Sequence, residues 1–332
     1  MKNNSLIAVT VVIPTYNAAN MLDAGLSALE NQSFPKDEFE IIVVDDGSTD
    51  LTADLVKKYK ARYYYQKNKG PASARNKGVE LALGDIVLFT DSDCAPDRDW
   101  IREMVAPFKD PEVVGVLGAY RNAQPSMWAQ FAHLEYEERY ALLSKNKYID
   151  MVATYSAGYR KDLFLLLGGF DTSFPVPNNE DTDLSYKISL KGYRLVFNPK
   201  AVVWHSGYPD TPIKYMRLKF WRGYWRMVVY QKYASKMIKD SYTPQSLKFQ
   251  ILIAFQILSS FLLGMISLKW GSLFLGVGMV GFIMVSLSFI ARAFNQGVWM
   301  GLMSPIFLFV RALSLGAGAV FKFLTCTNQK KN

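Results

Sequence analysis

Ile86-Val87-Leu88-Phe89-Thr90 is a short, mostly apolar run that stops at two carboxylates one residue apart, Asp91 and Asp93. Gly84-Asp85 before it is a turn signal and Pro96 after it opposes continuation, so the run reads as a buried strand. Similar segments precede it: the β-branched run at residues 9–13, closed by Pro14, then residues 41–44 and 62–66. Helix patterns lie between them, over Ala18 to Glu30, after Ser48-Thr49-Asp50, and over Ala72 to Leu83. The order β-α-β-α-β-α-β with short connections leaves few folds open. It predicts an α/β chain with a mostly parallel, doubly wound sheet and right-handed crossovers. Every strand then ends in polar residues at one edge, where ligands of open α/β sheets bind.

At a strand end, alternation puts Asp91 and Asp93 on one side and turns Ser92 away. Two carboxylates so close repel unless a cation lies between them. Mg²⁺ or Mn²⁺ carrying a diphosphate suits that position, because both ions take oxygen ligands and share them with phosphates. A capped turn with a solvated Asp93 is the simpler alternative. Asp46 offers an acceptor for a base N–H, and backbone N–H groups at helix starts favour phosphate. The first strand is followed by no G-x-G-x-x-G, and no G-x-x-x-x-G-K-[ST] occurs. Dinucleotide oxidoreductases and P-loop NTPases thereby lose their main signal.

Residues 11–17 (VVIPTYN), 43–50 (VVDDGSTD), 70–76 (GPASARN) and the Asp91-Ser92-Asp93 triplet resemble the family 2 glycosyltransferases of GT-A fold. The resemblance continues through Gly168-Gly169-Phe170-Asp171 and residues 179–184 (NEDTDL), and covers roughly residues 6 to 210. It implies a nucleotide-diphospho-sugar transferase fold and an inverting, metal-dependent sugar transfer of hexosyltransferase type. It implies that Pro14, Thr15, Tyr16, Asn17, Asp46, Gly70, Arg75, Asp91, Ser92 and Gly158 line the donor site. Gly158 belongs to Ser156-Ala157-Gly158, which is similar to a loop approaching the donor sugar. Asp93 resembles the metal-ligating carboxylate of an Asp-x-Asp motif, with Asp91 beside it and His205 completing the set. The base is implied at Asp181, with Glu180 as the alternative; one of them accepts the acceptor hydroxyl's proton. Lys187 stands where many relatives have arginine, which keeps the charge and loses bidentate geometry.

Plainer roles compete at several of these positions. Gly168-Gly169 after the apolar 163–167 run is what a helix C-terminus looks like. The acids at 180, 181 and 183 open a helix, where the macrodipole favours them. His133 lies in an amphipathic helix pattern and reads as structural or acceptor-side.

From Thr211 the character changes. Residues 213–233 interleave aromatic and basic side chains, and between Lys214 and Lys248 nine Lys/Arg face one acid, Asp240, so much of the +9 net charge lies there. Beside apolar segments this pattern indicates an interfacial helix and anionic lipid before nucleic acid. Segments 249–268, 272–290 and 298–321 are each long enough to cross a bilayer at ~20 residues. The division expected is a catalytic domain over 1–210, an interfacial segment over 211–248 and a transmembrane region over 249–332. The first two apolar segments form a hairpin, and Arg311 in the third must face protein, a polar headgroup or the interface. Lysines at 232, 236, 239 and 248 place the catalytic domain in the cytoplasm at the cell membrane. The Met1-Lys2-Asn3-Asn4 start lacks a signal-peptide core. Cys94 and Cys326 are too few for a disulfide framework or zinc spacing, which fits a reducing compartment.

The expected function is a membrane-anchored transfer of sugar from a nucleotide sugar, UDP-sugars first, to a lipid-linked or membrane-proximal acceptor in cell-surface polysaccharide synthesis. Two alternatives stay open: a processive polysaccharide synthase, and a non-catalytic membrane scaffold that binds nucleotide sugar. The synthases carry Gln-x-x-Arg-Trp, and Trp225-Arg226 here has the reverse order.

Overall fold

The structure is a computed structural model that describes residues 7–174 and 179–329, the last four by backbone alone. The expectations for the Met1-Lys2-Asn3-Asn4 start and the Cys326 side chain lie outside the described residues. In chain order the elements are β1 (Val9–Thr15), α1 (Ala19–Glu30), β2 (Phe39–Asp45), α2 (Thr52–Val56), β3 (Arg62–Tyr65), α3 (Pro71–Leu81), β4 (Ile86–Thr90), β5 (Cys94–Pro96) and α4 (Trp100–Val105). There follow β6 (Val113–Asn122), α5 (Met127–Leu143), β7 (Ser156–Arg160), α6 (Lys161–Leu166), α7 (Glu180–Leu190) and β8 (Arg194–His205). The chain ends in α8 (Pro212–Lys232), α9 (Ala234–Ile238), α10 (Gln245–Ile266), α11 (Leu268–Gln296) and α12 (Val298–Gln329). Two compact units result, Met1–Gln124 with Leu143–Gly207, and Pro125–Leu142 with Tyr208–Asn332. Helix α5 therefore groups with the C-terminal helices, although its sequence position is inside the 1–210 segment.

The first unit holds one sheet of eight strands in the order β3-β2-β1-β4-β7-β6-β8-β5. Strands β3, β2, β1 and β4 run parallel, as the alternation of strands and helices predicts. Beyond β4 the sheet is mixed: β7 is antiparallel to β4 and to β6, while β6 and β8 are parallel. Every residue of β1 is buried, as expected for a central strand with both faces covered. The core beside β4 is aromatic. Phe89 meets Phe170, Phe164 and Tyr159 with ring centroids 5.4, 5.7 and 6.2 Å apart, each pair contributing ~0.5–1.5 kcal/mol beyond area burial.

Two local expectations change. Strand β4 ends at Thr90, and Asp91-Ser92-Asp93 is a turn closed by Cys94 N–H donating to the Asp91 carbonyl at 3.1 Å. Strand alternation therefore does not govern where Asp91 and Asp93 point. The run does end before Pro96, which is itself the last residue of a separate short strand, β5, paired with β8 at the sheet edge, where a missing N–H is tolerated. Ser156-Ala157-Gly158 is not a loop but the start of β7, between β4 and β6. A Cβ on Gly158 would come within 2.8 Å of Leu88 Cδ2, so this glycine serves core packing between strands.

Among the described residues of the second unit three helices are long and apolar enough to cross a membrane: Gln245–Ile266, Leu268–Gln296 and Val298–Thr325, with mean hydropathies of 2.0, 2.4 and 1.7. Only Ser267 separates the first two, as the expected hairpin requires. Arg311 is buried, and its guanidinium donates to Gln250 Oε1 at 2.7 Å and lies 3.6 Å from Glu135 and Glu138. This answers the problem of an arginine inside an apolar helix: it faces protein.

Candidate active site

The carboxyl ends of β1 and β4 lie side by side where the strand order reverses, the position at which open α/β sheets bind ligands. Thr15 Oγ1 ends β1 and Thr90 Oγ1 ends β4; both are buried and have no hydrogen-bond partner among the described residues. Buried hydroxyls are normally satisfied, so these two are candidates for contact with a bound molecule. After β1, Asn17 adopts a positive φ of 48° and pairs with the loop after β2. Its N–H donates to Ser48 Oγ, and its Oδ1 accepts from Thr49 N–H, both at 2.8 Å. Tyr16 is 54% exposed beside them.

Asp46 is buried and accepts from three local donors. Oδ1 accepts from Gln66 Nε2 at 2.7 Å and from Lys69 N–H at 2.9 Å, and Oδ2 accepts from Gly70 N–H at 2.8 Å. The carboxylate thus folds the 66–70 loop back onto β2. Gly70, at φ 89°, precedes Pro71 at the first turn of α3, a start that proline's fixed φ favours.

Arg75 projects from α3 and joins two distant carboxylates. Its Nη2 donates to Asp91 Oδ1 at 2.8 Å and its Nη1 to Glu180 Oε1 at 2.9 Å. Both Arg75 and Glu180 are almost entirely buried. Burial disfavours the charged guanidinium, but Asp91 and then Glu180 outweigh it, so Arg75 is held more firmly protonated than usual. The bridge fixes α7 against the β4 edge across about a hundred residues of sequence. Replacing Arg75 with Met leaves Glu180 as a buried, uncompensated charge, and removing one partner of a buried pair costs about 3–5 kcal/mol. Thermal unfolding of the full chain is expected to show a large drop for Arg75→Met and a smaller one for Arg75→Lys, which keeps the charge and loses the fork. Equal melting of both variants and wild type would contradict the bridge.

The turn before α7 places the acids. Asn179 takes a left-handed φ of 66°, a conformation Asn tolerates better than most residues, and α7 begins at Glu180 with Asp181 and Asp183 in its first turn. Asp181 is half-buried, and its Oδ1 accepts from Thr182 N–H at 2.7 Å. The Gly168-Gly169 pair is a helix end: φ is 85° and 65°, and Gly169 N–H donates to the Phe164 carbonyl at 2.9 Å. Lys187 donates to the Leu167 carbonyl at that same helix end. Asn76 ties the turn to α3, exchanging hydrogen bonds with both backbone groups of Phe170.

Asp93 and His205 meet at the other side of the turn. His205 is the last residue of β8, directly opposite Cys94 of β5, and its Nε2 lies 3.1 Å from Asp93 Oδ2. With Cys94 Sγ their ligand atoms all lie within 4.8 Å of one another. Burial raises the Asp93 carboxyl, and the His205 contact overcomes this to hold it below the usual range. Burial and then Asp93 push the Cys94 thiol well up, which leaves an oxygen and a nitrogen as the hard donors of the group. Asp91, also expected among the ligands, accepts from Arg75 through Oδ1 and is not one of these three. Ser92 lies between the two carboxylates in the turn, half-buried.

Sequence reasoning did not single out several residues here. Tyr120 stacks on the His205 ring at 4.5 Å and on Tyr155 at 3.5 Å, fixing the imidazole plane. Gly207 passes so close that a Cβ there would overlap Asp93 Oδ2. Tyr63 donates to Asp45, the last residue of β2, at 2.7 Å. The only sequence signal for Gly207 is its place two residues after His205. His133 lies in the second unit, 3.2 Å from the Tyr208 hydroxyl and 3.4 Å from Glu137.

A mixed eight-stranded sheet that reverses order at a carboxylate-rich edge is a fold of GT-A type. Residues 10–166 match the family model of glycosyl transferase family 2. The chain is 29% identical over 234 residues to a probable glycosyltransferase, YdaM, of Bacillus subtilis, covering 66% of this chain and 53% of that protein. It is 28% identical over 212 residues to the poly-beta-1,6-N-acetyl-D-glucosamine synthase of Staphylococcus aureus, covering 60% of this chain and 50% of the synthase. The chain thus spans about half the length of these two relatives. Its fold is similar to that of a Pyrobaculum calidifontis mannosyltransferase solved with GDP-Man and Mn²⁺, at 22% identity and a TM-score of 0.59, covering 95% of this chain and 86% of that one.

Proposed function

We propose that the protein is a membrane-anchored, inverting glycosyltransferase that moves a hexosyl group from a nucleotide-sugar donor to a lipid-linked or membrane-proximal acceptor, in the synthesis of a cell-surface polysaccharide. The observation that carries this reading is the Asp91–Arg75–Glu180 bridge with Asp93 and His205 beside it, at the sheet edge where ligands of this fold class bind. The loops after β1 and β2, through Asn17, Asp46 and the unpartnered Thr15 hydroxyl, receive the nucleoside of the donor, with a UDP-sugar the first candidate. The Asp93 carboxylate and the His205 imidazole are donors suited to Mg²⁺ or Mn²⁺, which when bound offsets charge on a leaving diphosphate.

Asp181 acts as the base. It accepts the proton of the acceptor hydroxyl as that oxygen attacks the anomeric carbon, and the nucleoside diphosphate leaves from the opposite face, which inverts the centre. Glu180 holds Arg75 and is committed to that bridge, so the two neighbouring acids divide the work. The catalytic domain faces the cytoplasm, where nucleotide sugars and the lysines flanking the first long apolar helix both belong. A processive synthase is the second reading, favoured by the likeness to the N-acetylglucosamine polymer synthase.

Gly207→Ala tests the ion site without removing a ligand. The added methyl displaces the Asp93 carboxylate, and Mn²⁺ affinity by calorimetry is expected to fall by ~10–100-fold, the scale of disturbing a ligand's support. Unchanged affinity would sink the assignment of Asp93. For the function itself, the full chain is incubated with nucleotide sugars and released nucleoside diphosphate is measured. Release that needs both a divalent ion and Asp181 supports the proposal, and release from no donor refutes it.

A further inference from the structure

Helix α8 turns Tyr215, Lys219 and Arg222 onto one face, at i, i+4 and i+7. Facing them, α5 carries Glu135, Tyr136 and Arg139. Lys219 Nζ donates to Glu135 Oε2 at 2.7 Å, and Arg139 and Arg311 reach the same oxygen at 3.8 and 3.6 Å. Arg222 is placed differently. Its Nη2 donates to the Tyr136 hydroxyl at 3.3 Å, and no carboxylate lies within ion-pair distance of it among the described residues. Next to it the Arg139 guanidinium packs over the rings of Tyr136 and Tyr242, at 5.1 and 4.9 Å, and donates to the Tyr242 hydroxyl at 3.4 Å.

The charges do not balance. Lys219, Arg139 and Arg311 gather on Glu135, Glu138 lies beside Arg311, and Arg222 pairs with neither. Burial holds the Lys219 ammonium down to about 7, so among these described residues three guanidiniums face two carboxylates. Charge taken out of water without a counter-charge is costly, so this arrangement favours an anion beside Arg222 and Arg139. Guanidinium forks and phenolic hydroxyls match phosphate oxygens in number and geometry. The same unit carries the three membrane-length helices. A soluble anion needs no such surroundings, whereas the headgroup of a membrane lipid does.

We propose that Arg139 and Arg222, with the Tyr136 and Tyr242 hydroxyls, bind the phosphate of a membrane lipid carrying a terminal phosphate or diphosphate. Identifying that lipid as the sugar acceptor rests on the glycosyltransferase reading; the phosphate site itself does not.

The test uses the full chain in neutral detergent with dodecyl phosphate, dodecanol and inorganic phosphate as probes. Dodecyl phosphate is expected to bind saturably, dodecanol not, and inorganic phosphate to compete only at far higher concentration. Arg222→Gln should weaken dodecyl phosphate binding about tenfold to a hundredfold, the range for a lost charged hydrogen bond. Without lipid, the same variant should melt no lower than wild type, because it removes a half-buried charge that has no carboxylate partner among the described residues. A purely structural arginine would lower the melting point and leave binding unchanged, and that pair of results overturns the proposal. So would equal binding of dodecanol, or inorganic phosphate binding as tightly as the lipid. Arg222→Lys, with charge kept and the fork lost, gives intermediate binding and serves if Arg222→Gln does not fold. Failure of sugar transfer with lipid binding intact would remove the acceptor reading alone.

Discussion

Asp181→Asn is expected to lower turnover by ~10²–10⁴ while donor and Mn²⁺ affinities stay within a few-fold, the usual signature of losing a general base. The substitution is nearly isosteric, and the position makes it clean. Asp181 is half-buried in the first turn of α7, and its Oδ1 already accepts from Thr182 N–H, a bond the Asn carbonyl can keep. Glu180→Gln behaves differently, because that residue is buried against Arg75. It should lower thermal stability along with activity, since half of a buried charge pair is gone. Steady-state kinetics and melting curves on the two variants separate the roles. Should Asp181→Asn lose donor affinity in step with turnover, the residue binds substrate and the base lies elsewhere.

The second large effect is at Asp93. Asp93→Asn removes the charged oxygen donor facing His205, and turnover is expected to fall by at least ~10²-fold, the scale of losing one group that stabilises developing charge. The fold should persist, because Asp93 lies in a partly exposed turn rather than in the core. Excess Mn²⁺ should restore part of the activity if the residue acts through the ion. Normal turnover of the variant, or wild-type activity unaffected by chelator, would contradict the metal-dependent reading.

The parallel half of the sheet was legible because its signals are local: apolar β-branched runs, each closed by turn residues, alternating with helices. The mixed half was not. Strand β7 contains Ser156-Ala157-Gly158, whose small residues look like a loop. They form a strand because Leu88, Met104 and Phe108 crowd the space over Gly158, a fact of tertiary packing. The Asp91 and Asp93 pair stands out in the sequence, but strand alternation gives the wrong geometry for it. The turn at Asp91 sends one carboxylate to Arg75 and the other to His205, partners 16 and 112 residues away. Such long-range pairings leave no periodic trace. The same holds for Arg311: its cost in an apolar helix was readable, while its partners on α5 and α10 came only from the packing of the second unit. Helix α5 shows the limit of chain order as a guide to domains. Its Phe131 packs on Tyr215, Phe289 and Phe307, all from the C-terminal helices.

The most direct test of sugar transfer is to incubate membranes containing the full chain with radiolabelled UDP- and GDP-sugars, with Mn²⁺ or with chelator, and to count label in the membrane fraction. The account predicts metal-dependent incorporation from one donor, released nucleoside diphosphate in matching amount, and loss of both with Asp181→Asn. Incorporation that survives both chelator and that substitution, or none from any donor, would contradict it.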